Sequence, residues 1–129
     1  MATSDLRTPL SRARGLGSAK HGTEHFIKQR VSAIALAILV PWFLISLIGA
    51  MEGGYLGAIA WIGAPVNAVL LVLLLTAAFF HMRLGLQVVV EDYISSHVGR
   101  AAALIANTFF AAALWVASVL AVVKISIGG

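Results

Sequence analysis

The chain has 129 residues, of which 60% are hydrophobic and only 11% charged, and its mean hydropathy is +0.98. A soluble domain carries roughly 45–50% apolar and about 25% charged residues, so an ordinary water-soluble enzyme is excluded, and the length allows one domain at most. Nine Lys+Arg against five Asp+Glu give +4, but six of those nine precede residue 31 beside a long apolar run, which marks a membrane-orienting flank and excludes a nucleic-acid-binding face.

Residues 1–22 are rich in Ser, Gly, Ala and Arg, with Asp5 the sole acid. Such a segment cannot bury a core and is expected to be a mobile basic tail. Its composition has something of an organellar transit peptide, but the apolar run begins too late and is too long for a secretory signal. The run Gly15 to Lys20 lacks the spacing and preceding strand of a phosphate loop. Residues 23–129 then form the membrane part. Val31 to Ala50 is uncharged, about 30 Å as a helix, enough to cross the hydrocarbon core, with Pro41 tolerable inside it. Met51 to Gly63 reads as a short Gly-rich connection. A second span runs from Pro65 to Val90, interrupted by His81 and Arg83, and ends at the polar cluster from Glu91 to His97. A third runs from Ala101 to Val123, with Lys124 able to snorkel. Period-2 alternation is absent, so the expected fold class is all-α with three transmembrane helices, over about 31–50, 65–90 and 101–123.

Orientation follows from the basic residues. The tail holds Arg7, Arg12, Arg14, Lys20, Lys28 and Arg30, and Arg100 lies in the second connection, seven against the single Lys124. The amino terminus is therefore expected on the cytoplasmic or matrix side.

With no Cys in the chain, thiolate chemistry and cysteine-ligated iron–sulfur clusters are excluded here. Ionisable groups within a span are costly unless paired, hydrated or ligated, which singles out His81. It is either a neutral histidine hydrogen-bonded to a neighbour or an axial ligand to a b-type haem. On a helix, Gly85 and Asn67 lie about 40° from it and Leu74 and Val88 about 20°, so one face offers a nitrogen, a small residue and apolar walls. The other histidines, His21, His25 and His97, lie outside the spans. A bis-histidine haem at membrane depth would therefore need its second ligand from another chain, making this chain half of a site. Asp92 and Tyr93 follow at the end of the same helix. They could position a polar ligand head and manage its protons, or be a solvated helix end and an aromatic-belt anchor. Arg83 is about 200° from His81 and points elsewhere. Arg30, at the mouth of span one, serves topology or binds a carboxylate bidentately.

Two blocks resemble a known family: Gly17-Ser18-Ala19-Lys20 with Gly22 through Ala33, and His81-Met82-Arg83-Leu84-Gly85 through Glu91-Asp92-Tyr93. With three spans and an inward amino terminus, the region from about 15 to 125 resembles the small hydrophobic membrane anchor, of the haem b type, of succinate dehydrogenase (respiratory complex II). The resemblance implies half of a two-subunit haem-binding helical bundle. It implies as partners a second membrane anchor, an iron–sulfur subunit and a flavoprotein subunit, set on the lipid bilayer, with FAD and iron–sulfur clusters held only by those partners. Electrons from succinate would pass to ubiquinone, linking the tricarboxylic acid cycle to the respiratory chain. His81 then matches a haem b ligand, Tyr93 a tyrosine that hydrogen-bonds a quinone carbonyl oxygen, and Asp92 its adjacent aspartate. Arg30 matches an arginine near a haem propionate, and His25 takes no role. The chain would complete an enzyme without being catalytic alone, in a bacterial inner membrane rather than a mitochondrial one. Alternatives are the anchor of a fumarate reductase or a haem-free structural anchor. An ion relay through His81, Arg83 and Asp92 is disfavoured because no acid lies deep in any span.

Overall fold

The computed structural model describes residues 8–10 and 19–128, with side chains in the helices from Gly22 onward. The tail expected over 1–22 lies mostly outside the described residues, and from Ala19 the chain is already helical. Four helices follow: α1 Ala19–Met51, α2 Gly54–Gly63, α3 Pro65–Tyr93 and α4 His97–Ser126. Three of them are long and apolar enough to cross a membrane, as expected. All three outrun the expected spans at the polar end. Charged residues such as Lys28 and Arg30 stop a helix from residing in hydrocarbon, but they are good helix formers and do not stop the helix itself.

The expected connection over 51–63 is corrected: most of it is the ten-residue helix α2. Glycine does the turning. Gly54 has φ +63°, a left-handed conformation that costs other L residues roughly 1–2 kcal/mol. A Cβ on Gly57 would come within 2.5 Å of the Ala50 carbonyl oxygen, so only glycine lets α2 fold back this closely. Once past the turn, the apolar sequence Ile59-Ala60-Trp61-Ile62 is best served by satisfying its own backbone groups in a helix, as any segment near lipid must. Trp61 stacks on Trp42 with ring centroids 5.7 Å apart, fastening α2 to α1. Ala64, extended at φ −63°, ψ 129°, breaks the helix because Pro65 follows it, and Pro65 then opens α3 from its first turn, where its missing N–H costs nothing.

At the other end, Ile94 and Ser96 are extended, and the Ser96 hydroxyl accepts the Gly99 N–H at 3.1 Å to cap α4. Arg100 Nε donates to the Ile94 carbonyl at 3.1 Å and closes the turn. The helices form a row. α3 packs on α1 along one flank and on α4 along the other, while the backbones of α1 and α4 make no close approach among the described residues. Short α2 touches all three at the far end. There α1 and α4 splay around a wholly apolar concavity of about 670 Å³ over Leu71, Leu74 and Ala78. The buried apolar residues are few and lie mainly on α3: Ala68, Leu71, Leu74 and Leu84, with Ala111 of α4.

Candidate functional site

His81 sits on the α1 flank of α3, where the seam carries an unusual polar element. Ser32 of α1 is 5% exposed, the one buried polar residue among those described. Its Oγ lies 3.0 Å from His81 Nδ1 and donates to the Gln29 carbonyl at 2.9 Å. A hydroxyl has a single proton to give. Were that proton given to the Gln29 carbonyl, Oγ would face His81 as an acceptor and Nδ1 would carry the imidazole hydrogen. The other ring nitrogen, Nε2, has no hydrogen-bond partner among the described residues. A fixed Nδ1–H with a bare Nε2 is the state in which a metal-ligating histidine is held by its supporting hydrogen bond.

The neighbourhood leaves room on that side. A Cβ built on Gly85, one turn further along α3, would meet nothing within 4 Å. Leu74, on the same angular face, is buried. Asn67, expected to share the face, is occupied elsewhere, donating to the Trp61 carbonyl at 2.9 Å and so tying α3 to α2. No group of three or more His, Cys, Asp or Glu that could hold a bare metal ion occurs among the described residues. One imidazole nitrogen without a partner beside an unfilled glycine face fits a macrocyclic group that brings its own nitrogens better than it fits a bare ion.

The Ser32 contact belongs to a stripe. His25, Gln29 and Ser32 are spaced i, i+4, i+7, within about 60° of one another on α1, and all three are less exposed than their sequence neighbours. His25 Nε2 and Gln29 Oε1 are both buried with no hydrogen-bond partner in the structure. The stripe faces α3 and leads from His81 toward the polar end. Sequence reasoning passed over it, although its helical spacing was there to read. Arg30 is about 200° around α1 from Ser32 and leaves the helix on the other side, its guanidinium carbon 5.1 Å from the centre of the Phe26 ring. The structure thus brings Ser32, and not Arg30, to His81.

α3 continues without a break from His81 through Tyr93. Asp92 is therefore about 16 Å along the axis from His81 and only about 20° away in angle. Asp92 and Tyr93 are exposed, Tyr93 by 84%, and neither makes a hydrogen bond to the described residues. A carboxylate and a phenol thus end the histidine-bearing helix with their polar atoms uncommitted. Arg83 points to the opposite flank, as its angle required, donating from Nε to Thr108 Oγ1 of α4 at 3.1 Å.

A family model described as the succinate dehydrogenase/fumarate reductase transmembrane subunit matches residues 4–124. The chain is also similar to proteins named succinate dehydrogenase hydrophobic membrane anchor subunit. In Rickettsia bellii the identity is 35% over 121 residues, covering 93% of this chain and 96% of the relative. In Paracoccus denitrificans it is 33% over 121 residues, covering 94% and 93%. In Rickettsia conorii it is 33% over 94 residues, covering 72% and 75%. No solved structure matches the chain significantly.

Proposed function

The chain belongs to the family of succinate dehydrogenase/fumarate reductase transmembrane subunits, and from that premise we propose that it anchors a succinate:ubiquinone oxidoreductase while supplying half of a haem b site and part of the quinone site. Its three apolar helices and bacterial relatives make it a bacterial membrane protein. The basic tail and Arg100 orient it with the amino terminus in the cytoplasm. Its partners are a second anchor, which gives the opposing haem ligand, an iron–sulfur subunit and a flavoprotein subunit.

The observation that carries the reading is the Ser32–His81 hydrogen bond at Nδ1, which leaves Nε2 of an intramembrane histidine without a partner among the described residues. Haem b, when bound, would supply a one-electron store. His81 holds and orients that group, Ser32 keeps the imidazole in the ligating tautomer, and Gly85 leaves the face clear. Quinone reduction takes two electrons and two protons, so it belongs at the interface, where water and an apolar mouth meet. There the Tyr93 hydroxyl donates to a quinone carbonyl oxygen and stabilises negative charge as it develops, and Asp92 orients the phenol and relays protons to it.

The test is a dithionite-reduced minus oxidised visible spectrum of the purified complex, with wild type beside His81→Ala. A b-type band in the wild type that is lost in the variant supports the reading. A complex without the band leaves His81 a satisfied seam residue in a haem-free anchor. A band indifferent to the substitution moves the ligand to another residue.

A further inference from the structure

The α4 flank of α3 carries a charge that neither the haem nor the quinone reading uses. Arg83 lies seven residues inside the apolar boundary at Val90, about 10 Å below it. A guanidinium does not deprotonate, and a lone cation at this depth costs several kcal/mol. Its side chain is nevertheless held in place rather than freed to rise to the surface. Nε donates to Thr108 Oγ1, a neutral partner, at 3.1 Å, while the Asn107 amide ties the Arg83 backbone carbonyl to α4 at 2.9 Å. The terminal Nη groups have no partner among the described residues, where the acids Glu24, Glu52, Glu91 and Asp92 all lie near helix ends. Glu91, eight residues away, already accepts from Gln87 at 2.8 Å. A second copy of the chain would bring no acid to this level either.

Beneath the guanidinium runs a groove of about 310 Å³ between α3 and α4. It begins at Arg83 and Thr108, passes Phe80 and Ala112, and ends at Thr76 and Trp115, seven residues deeper on each helix, or about 10 Å. At that inner end Trp115 Nε1 donates to Thr76 Oγ1 at 2.9 Å, so the polar atoms there satisfy each other and the slot offers hydrocarbon contact alone. A cation toward the interface with an apolar slot running inward from it is the polarity of one lipid molecule, phosphate outermost and acyl chain below. We infer that Arg83 and this groove bind an anionic phospholipid, the phosphate taking the free Nη donors bidentately and one acyl chain lying along Phe80 and Ala112.

The experiment compares intact complex containing wild type, Arg83→Gln or Ala112→Phe, the last filling the slot while leaving the charge. Each is extracted and washed in mild detergent, and retained phospholipid is counted by mass spectrometry. Wild type should keep about one more anionic phospholipid per anchor than either variant. Added phosphatidylglycerol should raise its melting temperature more than the same amount of phosphatidylcholine, a difference both variants lose. Equal lipid retention in wild type and Arg83→Gln would overturn the inference. So would loss of a partner subunit from Arg83→Gln at unchanged lipid content, which would pair the guanidinium with a partner's carboxylate. Full retention by Ala112→Phe would remove the slot from the site.

Discussion

Replacing Ser32 by alanine takes away one oxygen atom from the α1–α3 seam, and two independent arguments set the size of the consequence. On the tautomer proposed above, the oxygen is the acceptor for His81 Nδ1, 3.0 Å away, and it is itself buried, so no water stands ready to replace it. Leaving that N–H unpaired costs about 1–3 kcal/mol. Removing the outer partner of a metal-ligating histidine typically lowers metal-site affinity about 10–100-fold, or about 1.4–2.8 kcal/mol at 1.4 per decade. The two ranges coincide because they describe one event, the loss of the bias toward the Nδ1–H tautomer. Ser32→Ala should therefore retain haem about 10–100-fold more weakly. Its reduced form should also become easier to reach, because an imidazole without its hydrogen-bond acceptor is a less basic ligand and stabilises oxidised iron less. Ser32→Thr, which restores the hydroxyl, should recover most of both effects. The assay is haem per complex after expression under limiting haem, followed by potentiometric titration of the b-type band. Equal haem content and potential in Ser32→Ala and wild type would refute the reasoning. Tighter haem binding in the variant would mean that the Ser32 proton points at Nδ1 and opposes ligation.

Two further substitutions probe the quinone end and the turn. Tyr93→Phe should leave stability and the haem band unchanged, since the hydroxyl has no partner among the described residues, and should slow succinate–quinone reduction about tenfold, the worth of one hydrogen bond of about 1.4 kcal/mol. Succinate-driven reduction of a soluble dye is the control, and an unchanged quinone rate would take Tyr93 out of the site. Gly57→Ala puts a Cβ within 2.5 Å of the Ala50 carbonyl oxygen and should destabilise the complex by about 1–3 kcal/mol. Gly49→Ala, where a Cβ meets nothing within 4 Å, should be neutral or stabilising. Equal thermal melts for those two variants would contradict the described packing of the turn.

The long helices were legible because a run of about twenty apolar residues has few ways to exist, and Pro65 announces the start of its helix. α2 was not, since a segment holding Gly53, Gly54, Gly57 and Gly63 looks like a loop unless the close approach to Ala50 is known. His81, Asp92 and Tyr93 could be picked out as polar groups at informative depths on a single helix. Ser32 could not be weighed in the same way, because serine is common in membrane helices and its partner lies 49 residues away. The Arg83–Thr108 contact, across 25 residues, was hidden for the same reason. What a sequence reveals here is which residues share a face, and what it conceals is which face meets which.

A row of helices differs from a bundle in having two outer edges, and the backbones of α1 and α4 make no close approach to close this one among the described residues. Few side chains are buried within the chain, so lipid and neighbouring subunits must together cover most of its apolar surface. Where the subunits of the proposed complex cover those edges, its folded population would be governed by mass action with them. In a cell making more of this chain than of its partners, the surplus would be short-lived and exposed to quality-control proteases. Its steady abundance would follow the scarcest partner rather than its own rate of synthesis.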